Sequence, residues 1–183
     1  YLQHVAGTAA GSLSGMRVVM DCANGAASEI APRIFQELGA EVYPMHHTPD
    51  GTNINAGCGA LHPEEMQRAM AGRRADLGVS FDGDADRAIF ADERGCLVDG
   101  DRVMGLCALA WRNTDRLPGN QVVATVMSNM GLELALRGAG ITMHRAPVGD
   151  RHVADKMRET GAAVGGGESG HLIFARHGVT GDG

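Results

Sequence analysis

The sequence predicts an α/β protein made of two consecutive small α/β/α domains with mixed, mostly parallel sheets. Three observations carry that expectation. The order strand–helix–strand–helix–strand occurs twice along the chain. Short apolar runs such as RVVMD (17–21) are bounded by Gly, Asn and Asp, the residues that punctuate strands and helices. At 183 residues, 44% hydrophobic and 21% charged, the chain can bury a core in each half and has no room for more.

Residues 7–15 (GTAAGSLSG) are small and flexible, so residues 1–15 read as a linker. Arg17 to Asp21 is a short buried strand, and a helix runs from about Ala26 to Leu38, ending at Gly39. Glu41 to Met45 is a second strand, and His62 to Arg74 a helix with Pro63 in its first turn. Asp76 to Phe81 forms a third strand, followed by a hairpin, Ala88–Asp92 and Cys96–Asp99, around Arg94-Gly95. The first domain is therefore 16–99 and the second 100–183. The second opens on Asp99-Gly100-Asp101, an N-cap and acidic first turn for a helix reaching Trp111. After a loop at 113–120 come a strand (121–126), a helix (130–138), a strand (141–145) and a helix (149–159). A last strand pair, 162–164 and 171–174, flanks a glycine-rich turn. No repeat or low-complexity tract is visible.

Bulk properties exclude several classes. A net charge of −6 without any Lys/Arg cluster argues against a nucleic-acid partner. Aromatic content of 4% leaves no platform for base stacking. The four cysteines (Cys22, Cys58, Cys96, Cys107) form no C-x-x-C pair and read as reduced thiols. No apolar run approaches membrane-spanning length and no signal-peptide pattern opens the chain, so no membrane partner and a cytoplasmic location are expected.

The strongest chemical signal is SFDGDADR (80–87). Alternate residues of an extended segment share a side, so Asp82, Asp84 and Asp86 can converge on one point. Three converging carboxylates repel unless a hard divalent cation sits among them, and all-oxygen ligation suits Mg²⁺ or Mn²⁺. Arg87 adds a planar fork suited to a phosphate beside the metal. An EF-hand competes, with Glu93 at the twelfth position, but Arg87 stands where its glycine belongs and the flanks read as strands. A D-x-D-x-[TV] phosphatase loop with Asp82 as nucleophile also competes, yet Asp86 replaces the Thr or Val. The bland alternative is a solvated acidic turn, which such charge crowding disfavours.

Gly165-Gly166-Gly167-Glu168-Ser169-Gly170-His171 offers close backbone approach plus donors and acceptors for a polyol, though alone it is an ordinary hairpin turn. DGTNINAGCGALH (50–62) is dense in turn formers, and DCANG (21–25) is a strand-to-helix turn whose amides could hold an anion. In PVGDR (147–151), Asp150 reads as a helix cap and Arg151 as a side chain able to reach an anionic ligand. Among eight histidines only His62 and His171 lie in these motifs; the rest, including His46-His47, lack ligand spacing and are expected at the surface.

Taken together, DCANGAAS (21–28), DGTNINAGCG (50–59), SFDGDADR (80–87), VDGDRVM (98–104), PVGDR (147–151), GGESGH (166–171) and TGDG (180–183) resemble the α-D-phosphohexomutase superfamily, in order and over nearly the whole chain. NIN-x-x-CG and VGDR point to its phosphoglucosamine mutases rather than to its phosphomannomutase/phosphoglucomutase branch. The resemblance implies a four-domain enzyme interconverting glucosamine 6-phosphate and glucosamine 1-phosphate through a phosphoserine and a 1,6-bisphosphate, for cell-wall precursor synthesis. It implies Asp82, Asp84 and Asp86 as Mg²⁺ ligands, Arg87 as the group steadying the transferring phosphate, and Glu168, Ser169, His171 and Arg151 as substrate contacts. A hexosamine phosphate is then the substrate, and a homodimer of the parent enzyme is compatible with it. Two positions depart from the family pattern: Gly167 stands where the glutamate usually does, with Glu168 adjoining Ser169, and Ala60-Leu61 replace small hydroxyl residues before His62. The resemblance covers only the second and third domains, so the phosphoserine and phosphate-clamp domains are expected as partners from the same enzyme. A non-catalytic Mg²⁺-binding module complete at 183 residues is the alternative of a different class.

Overall fold

The computed structural model describes residues 2–178 and 181. Two compact units emerge, residues 1–97 and 98–183. In the first, α1 (Leu2–Ala6) precedes β1 (Arg17–Asp21), α2 (Ala27–Glu37), β2 (Glu41–Met45), α3 (Glu64–Arg73), β3 (Leu77–Phe81), β4 (Ala88–Ala91) and β5 (Leu97–Val98). The sheet runs β2-β1-β3-β4-β5, with β1 parallel to β2 and β3, and β4 antiparallel to β3. Period-2 alternation on β1 sorts the core: Val18 and Met20 pack with Ala27 and Ala31 of α2, whereas Val19 packs with Met66 and Met70 of α3. Asp21 continues the Val19 side and is fully buried.

The second unit repeats the plan with α4 (Gly100–Asn113), β6 (Gln121–Thr125), α5 (Met130–Gly138), β7 (Thr142–Ala146), α6 (Asp150–Thr160), β8 (Val164–Gly166) and β9 (Leu172–Phe174). Its sheet order is β7-β6-β8-β9, parallel except for the β8–β9 pair. Val122 and Ala124 face Met104 of α4 and Leu132 of α5, while Val123 faces Val153 and Met157 of α6. Asp99 caps α4 by accepting from the Arg102 N–H at 3.0 Å, and Asn129 caps α5 by accepting from Leu132 N–H at 2.9 Å.

The expected fold class holds in both units, and most elements lie within a residue or two of their expected bounds, where capping and fraying blur any reading. Two differences stand out. The expected linker 1–15 contains helix α1, too short to carry a periodic apolar signal. The strand expected at 162–164 is displaced to Val164–Gly166, so two glycines of the glycine-rich 165–171 motif are strand residues.

Candidate functional site

In the first unit, three loops converge at the carboxyl ends of parallel strands β1, β2 and β3, the position where open α/β sheets bind ligands. The turn after β1 takes left-handed conformations at Ala23 (φ 53°) and Asn24 (φ 49°). Asn24 then ties down the loop after β2: its N–H donates to His46 O at 2.6 Å, and its Oδ1 accepts from Thr48 N–H at 3.2 Å. The Asn55 N–H donates to Ala23 O at 2.9 Å, and Ala26 N–H donates to Gly83 O at 2.9 Å. Gly25 has no room for a side chain, since a Cβ there would lie 2.1 Å from the Gly83 carbonyl oxygen.

The three carboxylates of the loop converge, but by a different route from strand alternation. Residues 82–87 are not an extension of β3 but a tight turn, closed by Ala85 N–H donating to Asp82 O at 3.1 Å, with Ala85 left-handed (φ 59°). That turn, rather than strand alternation, brings one oxygen from each of Asp82, Asp84 and Asp86 within 4.8 Å of the others. Asp82 is buried, Asp86 half-buried and Asp84 exposed. Arg87 lies across the buried end, its Nε 2.7 Å from Asp82 Oδ2 and 3.5 Å from Asp86 Oδ1. Burial pushes the Asp82 carboxyl up, but hydrogen bonds from the Arg87 backbone and side chain outweigh it and hold the group below the ordinary carboxylate range. Three clustered oxygen donors with a wet outer edge suit a hard divalent cation that keeps some of its waters.

A pH prediction follows from this pair. Because the folded Asp82 is more acidic than the unfolded one, its contribution is present above about pH 4 and fades as pH falls through its lowered value. Arg87→Gln is expected to destabilise the first unit by about 1–2 kcal/mol at pH 7, discounted because the arginine side chain is 36% exposed. Urea unfolding at pH 7 and pH 3 checks this: the difference between the proteins should shrink at pH 3, and an equal difference would remove the ion pair as its cause.

In the second unit the glycine-rich 165–171 motif forms the turn between β8 and β9. Gly170 N–H donates to Gly167 O at 3.2 Å, and Gly167 N–H donates to His171 O at 3.2 Å. The turn rests on the start of α4: Gly100 N–H donates to Glu168 O at 3.0 Å, and a Cβ on Gly100 would lie 2.1 Å from Gly167 O. Glu168 and Ser169 project exposed from this rigid turn, while His171 is nearly buried with Nε2 3.4 Å from Asp150 Oδ1. Arg151 is not gathered with them; its side chain is 90% exposed, and its Nε lies 3.8 Å from Asp155 Oδ2 along α6. Of the TGDG motif, Thr180, Asp182 and Gly183 lie outside the described residues.

Residue-by-residue reading missed one constellation. His46 is not a plain surface residue: its Nδ1 lies 3.1 Å from Asp21 Oδ2 and its Nε2 3.2 Å from Glu65 Oε2. No spacing rule connects positions 21, 46, 58 and 65, which only the stacking of β1, the loop after β2 and α3 brings together.

Comparison with known proteins supports the α/β/α fold class of both halves. The model of phosphoglucomutase/phosphomannomutase α/β/α domain II matches residues 1–95, and that of domain III matches residues 99–183. Phosphoglucosamine mutase of Moorella thermoacetica is 54% identical over 183 residues, which cover 100% of this chain and 41% of the relative. Phosphoglucosamine mutase of Desulforudis audaxviator is 52% identical with the same coverage. The crystal structure of a phosphoglucomutase/phosphomannomutase family protein from Burkholderia thailandensis superimposes with a TM-score of 0.86 at 30% identity, covering 100% of this chain and 40% of that one. The chain thus spans about two fifths of the length of these relatives, 41% for the Moorella protein. With both domain models matched end to end, the chain belongs to the phosphoglucomutase/phosphomannomutase family, as its α/β/α domains II and III.

Proposed function

We propose that this chain is the metal- and sugar-binding middle of a phosphoglucosamine mutase, interconverting glucosamine 6-phosphate and glucosamine 1-phosphate in the cytoplasm. The observation that carries the reading is the carboxylate turn, with three oxygens within 4.8 Å, in a chain 54% identical to a phosphoglucosamine mutase. Asp82, Asp84 and Asp86 would hold Mg²⁺, which supplies Lewis-acid polarisation and a template for a transferring phosphoryl group. Phosphoryl transfer depends on positioning and charge neutralisation more than on covalent chemistry by side chains. Arg87, held in line by Asp82 and Asp86, would present its remaining guanidinium N–H groups to phosphate oxygens. Glu168 and Ser169, exposed on a turn pinned to α4, would take sugar hydroxyls, beside His171, whose Nε2 lies 3.4 Å from Asp150 Oδ1. Arg151 projects into solvent, free to reach a substrate phosphate.

The phosphoserine that donates to the substrate belongs, by family resemblance, to another domain of the parent enzyme. The 183-residue chain is therefore expected to convert no glucosamine 6-phosphate on its own. Coupled assay of the purified chain checks this, and turnover that co-purifies with it through two columns would overturn the assignment of roles. The second reading, a phosphomannomutase/phosphoglucomutase, rests on the match of both halves to phosphoglucomutase/phosphomannomutase domains. Rates of the full-length enzyme on glucosamine, glucose and mannose 6-phosphates separate the two. A preference for the amino sugar supports the first reading, and a preference for either neutral sugar replaces it with the second.

A further inference from the structure

The buried cluster at the end of β1 has no part in the mechanism above. Asp21 is wholly buried on the α3 side of β1, and backbone donors aim its carboxylate: Ala23 N–H to Oδ1 and Gly59 N–H to Oδ2, each at 2.9 Å. His46 takes a left-handed backbone (φ 47°), stabilised by the 2.6 Å bond from Asn24 N–H to its carbonyl. That conformation turns the ring inward, to Nδ1–Oδ2 and Nε2–Glu65 separations of 3.1 and 3.2 Å. Cys58 is buried beside them, and one donor atom each from Asp21, His46 and Cys58 fall within 4.8 Å of one another. A histidine bridging two carboxylates would explain the geometry if Nδ1 donated to Asp21. It does not: Nδ1 is buried and makes no hydrogen bond despite its short distance from Oδ2.

We propose that Asp21, His46 and Cys58 form a second metal site, for Zn²⁺ or a similar borderline-soft divalent ion, distinct from the Asp82–Asp84–Asp86 turn. Imidazole nitrogen with thiolate sulfur selects such an ion over Mg²⁺. Tetrahedral zinc with these donors needs donor–donor separations of about 3.3–3.7 Å; the Nδ1–Oδ2 pair at 3.1 Å is already that close, and a pair at the 4.8 Å outer limit would contract by about 1.1–1.5 Å. Glu65 stands where the outer partner of a metal-bound histidine belongs, its Oε2 3.2 Å from Nε2, and a proton held on Nε2 would leave the Nδ1 lone pair to the metal. Binding expels the Cys58 thiol proton to solvent, and the resulting thiolate and the Asp21 carboxylate together balance the two positive charges of the ion. Burial and the nearby carboxylates of Asp21 and Glu65 raise the Cys58 thiol when no cation compensates them. Cys22 is no competitor, because it packs in the core cluster on the α2 side of the sheet. The ion would clamp the loop after β2, whose Ile54 and Asn55 side chains lie against Gly83 of the carboxylate turn.

The test uses the purified 183-residue chain, and since it reads binding rather than turnover, its outcome is independent of the proposed activity. The expected result is one equivalent of Zn²⁺ retained in excess Mg²⁺, and a Co²⁺ form with a thiolate charge-transfer band and tetrahedral d–d absorption. Cys58→Ser should abolish the band while Asp84→Asn leaves it intact. Glu65→Gln should weaken Zn²⁺ binding about 10–100-fold. Absence of the cobalt–thiolate band in the unmodified chain overturns the site, as does its persistence in Cys58→Ser. Should Cys58→Ser fail to fold, His46→Gln decides: unchanged Zn²⁺ affinity in that variant overturns the proposal.

Discussion

Asp84→Asn in the full-length enzyme is expected to lower kcat by about two to three orders of magnitude while leaving the melting temperature within a few degrees. Asp84 is the exposed member of the carboxylate turn and accepts no hydrogen bond among those described. Its neighbours differ in this respect: Asp82 accepts from both the backbone and the side chain of Arg87, and Asp86 lies against the same guanidinium. Substituting Asp82 would thus mix loss of a ligand with loss of a buried ion pair, whereas a substitution at Asp84 touches little but the ligand set. Metal stabilisation of a transferring phosphoryl group is worth several kcal/mol, and each 1.4 kcal/mol is tenfold, which sets the expected range. The Mg²⁺ concentration for half-maximal rate should rise as well, because one of the three proposed anionic ligands would become a weaker neutral one. Steady-state kinetics over a Mg²⁺ series, alongside thermal unfolding, checks both. Unchanged turnover would remove Asp84 from the metal site; lost turnover with a fall of more than about 5 °C in melting temperature would mean the turn itself had collapsed.

The apolar run of β1 and the twice-repeated strand–helix order made the two α/β/α units legible, because burial on both faces leaves apolar runs between Gly, Asn and Asp turns. The carboxylate turn was legible as chemistry but not as geometry. Three aspartates at alternate positions suggested an extended segment, and the convergence instead comes from a turn that depends on Ala85 at φ 59°, a conformation its residue type does not advertise. Arg151, read from its motif as able to reach an anionic ligand, stands on the first turn of α6 with its side chain in solvent. The Asp21–His46–Cys58–Glu65 cluster was illegible for a plainer reason. Its four members come from a strand end, two points of one loop and a helix, and local spacing carries no record of how those pieces stack.

The contact of the β1–α2 turn with the carboxylate turn yields the largest expected effect on stability. Gly25→Val should cost the first unit about 3 kcal/mol, the upper end for forced overpacking, and lower its melting temperature by about 10 °C or more. The reason lies in what stands opposite. A Cβ at Gly25 would meet the Gly83 carbonyl oxygen at 2.1 Å and the Gly83 Cα at 2.7 Å, so backbone, not a rotatable side chain, must move. Moving it breaks the 2.9 Å bond from Ala26 N–H to Gly83 O, which ties the start of α2 to the turn bearing Asp82 and Asp84. A second effect should therefore accompany the first: weaker Mg²⁺ affinity, though no ligand has been altered. Gly72→Ala is the control, since a Cβ there meets nothing within 4 Å and lies inside helix α3, where alanine is the better helix former. It should leave stability equal or slightly raised and Mg²⁺ affinity unchanged. Equal stability of Gly25→Val and the unmodified chain would mean that the two turns are not in contact, and the arrangement of the carboxylate loop would lose its support from β1.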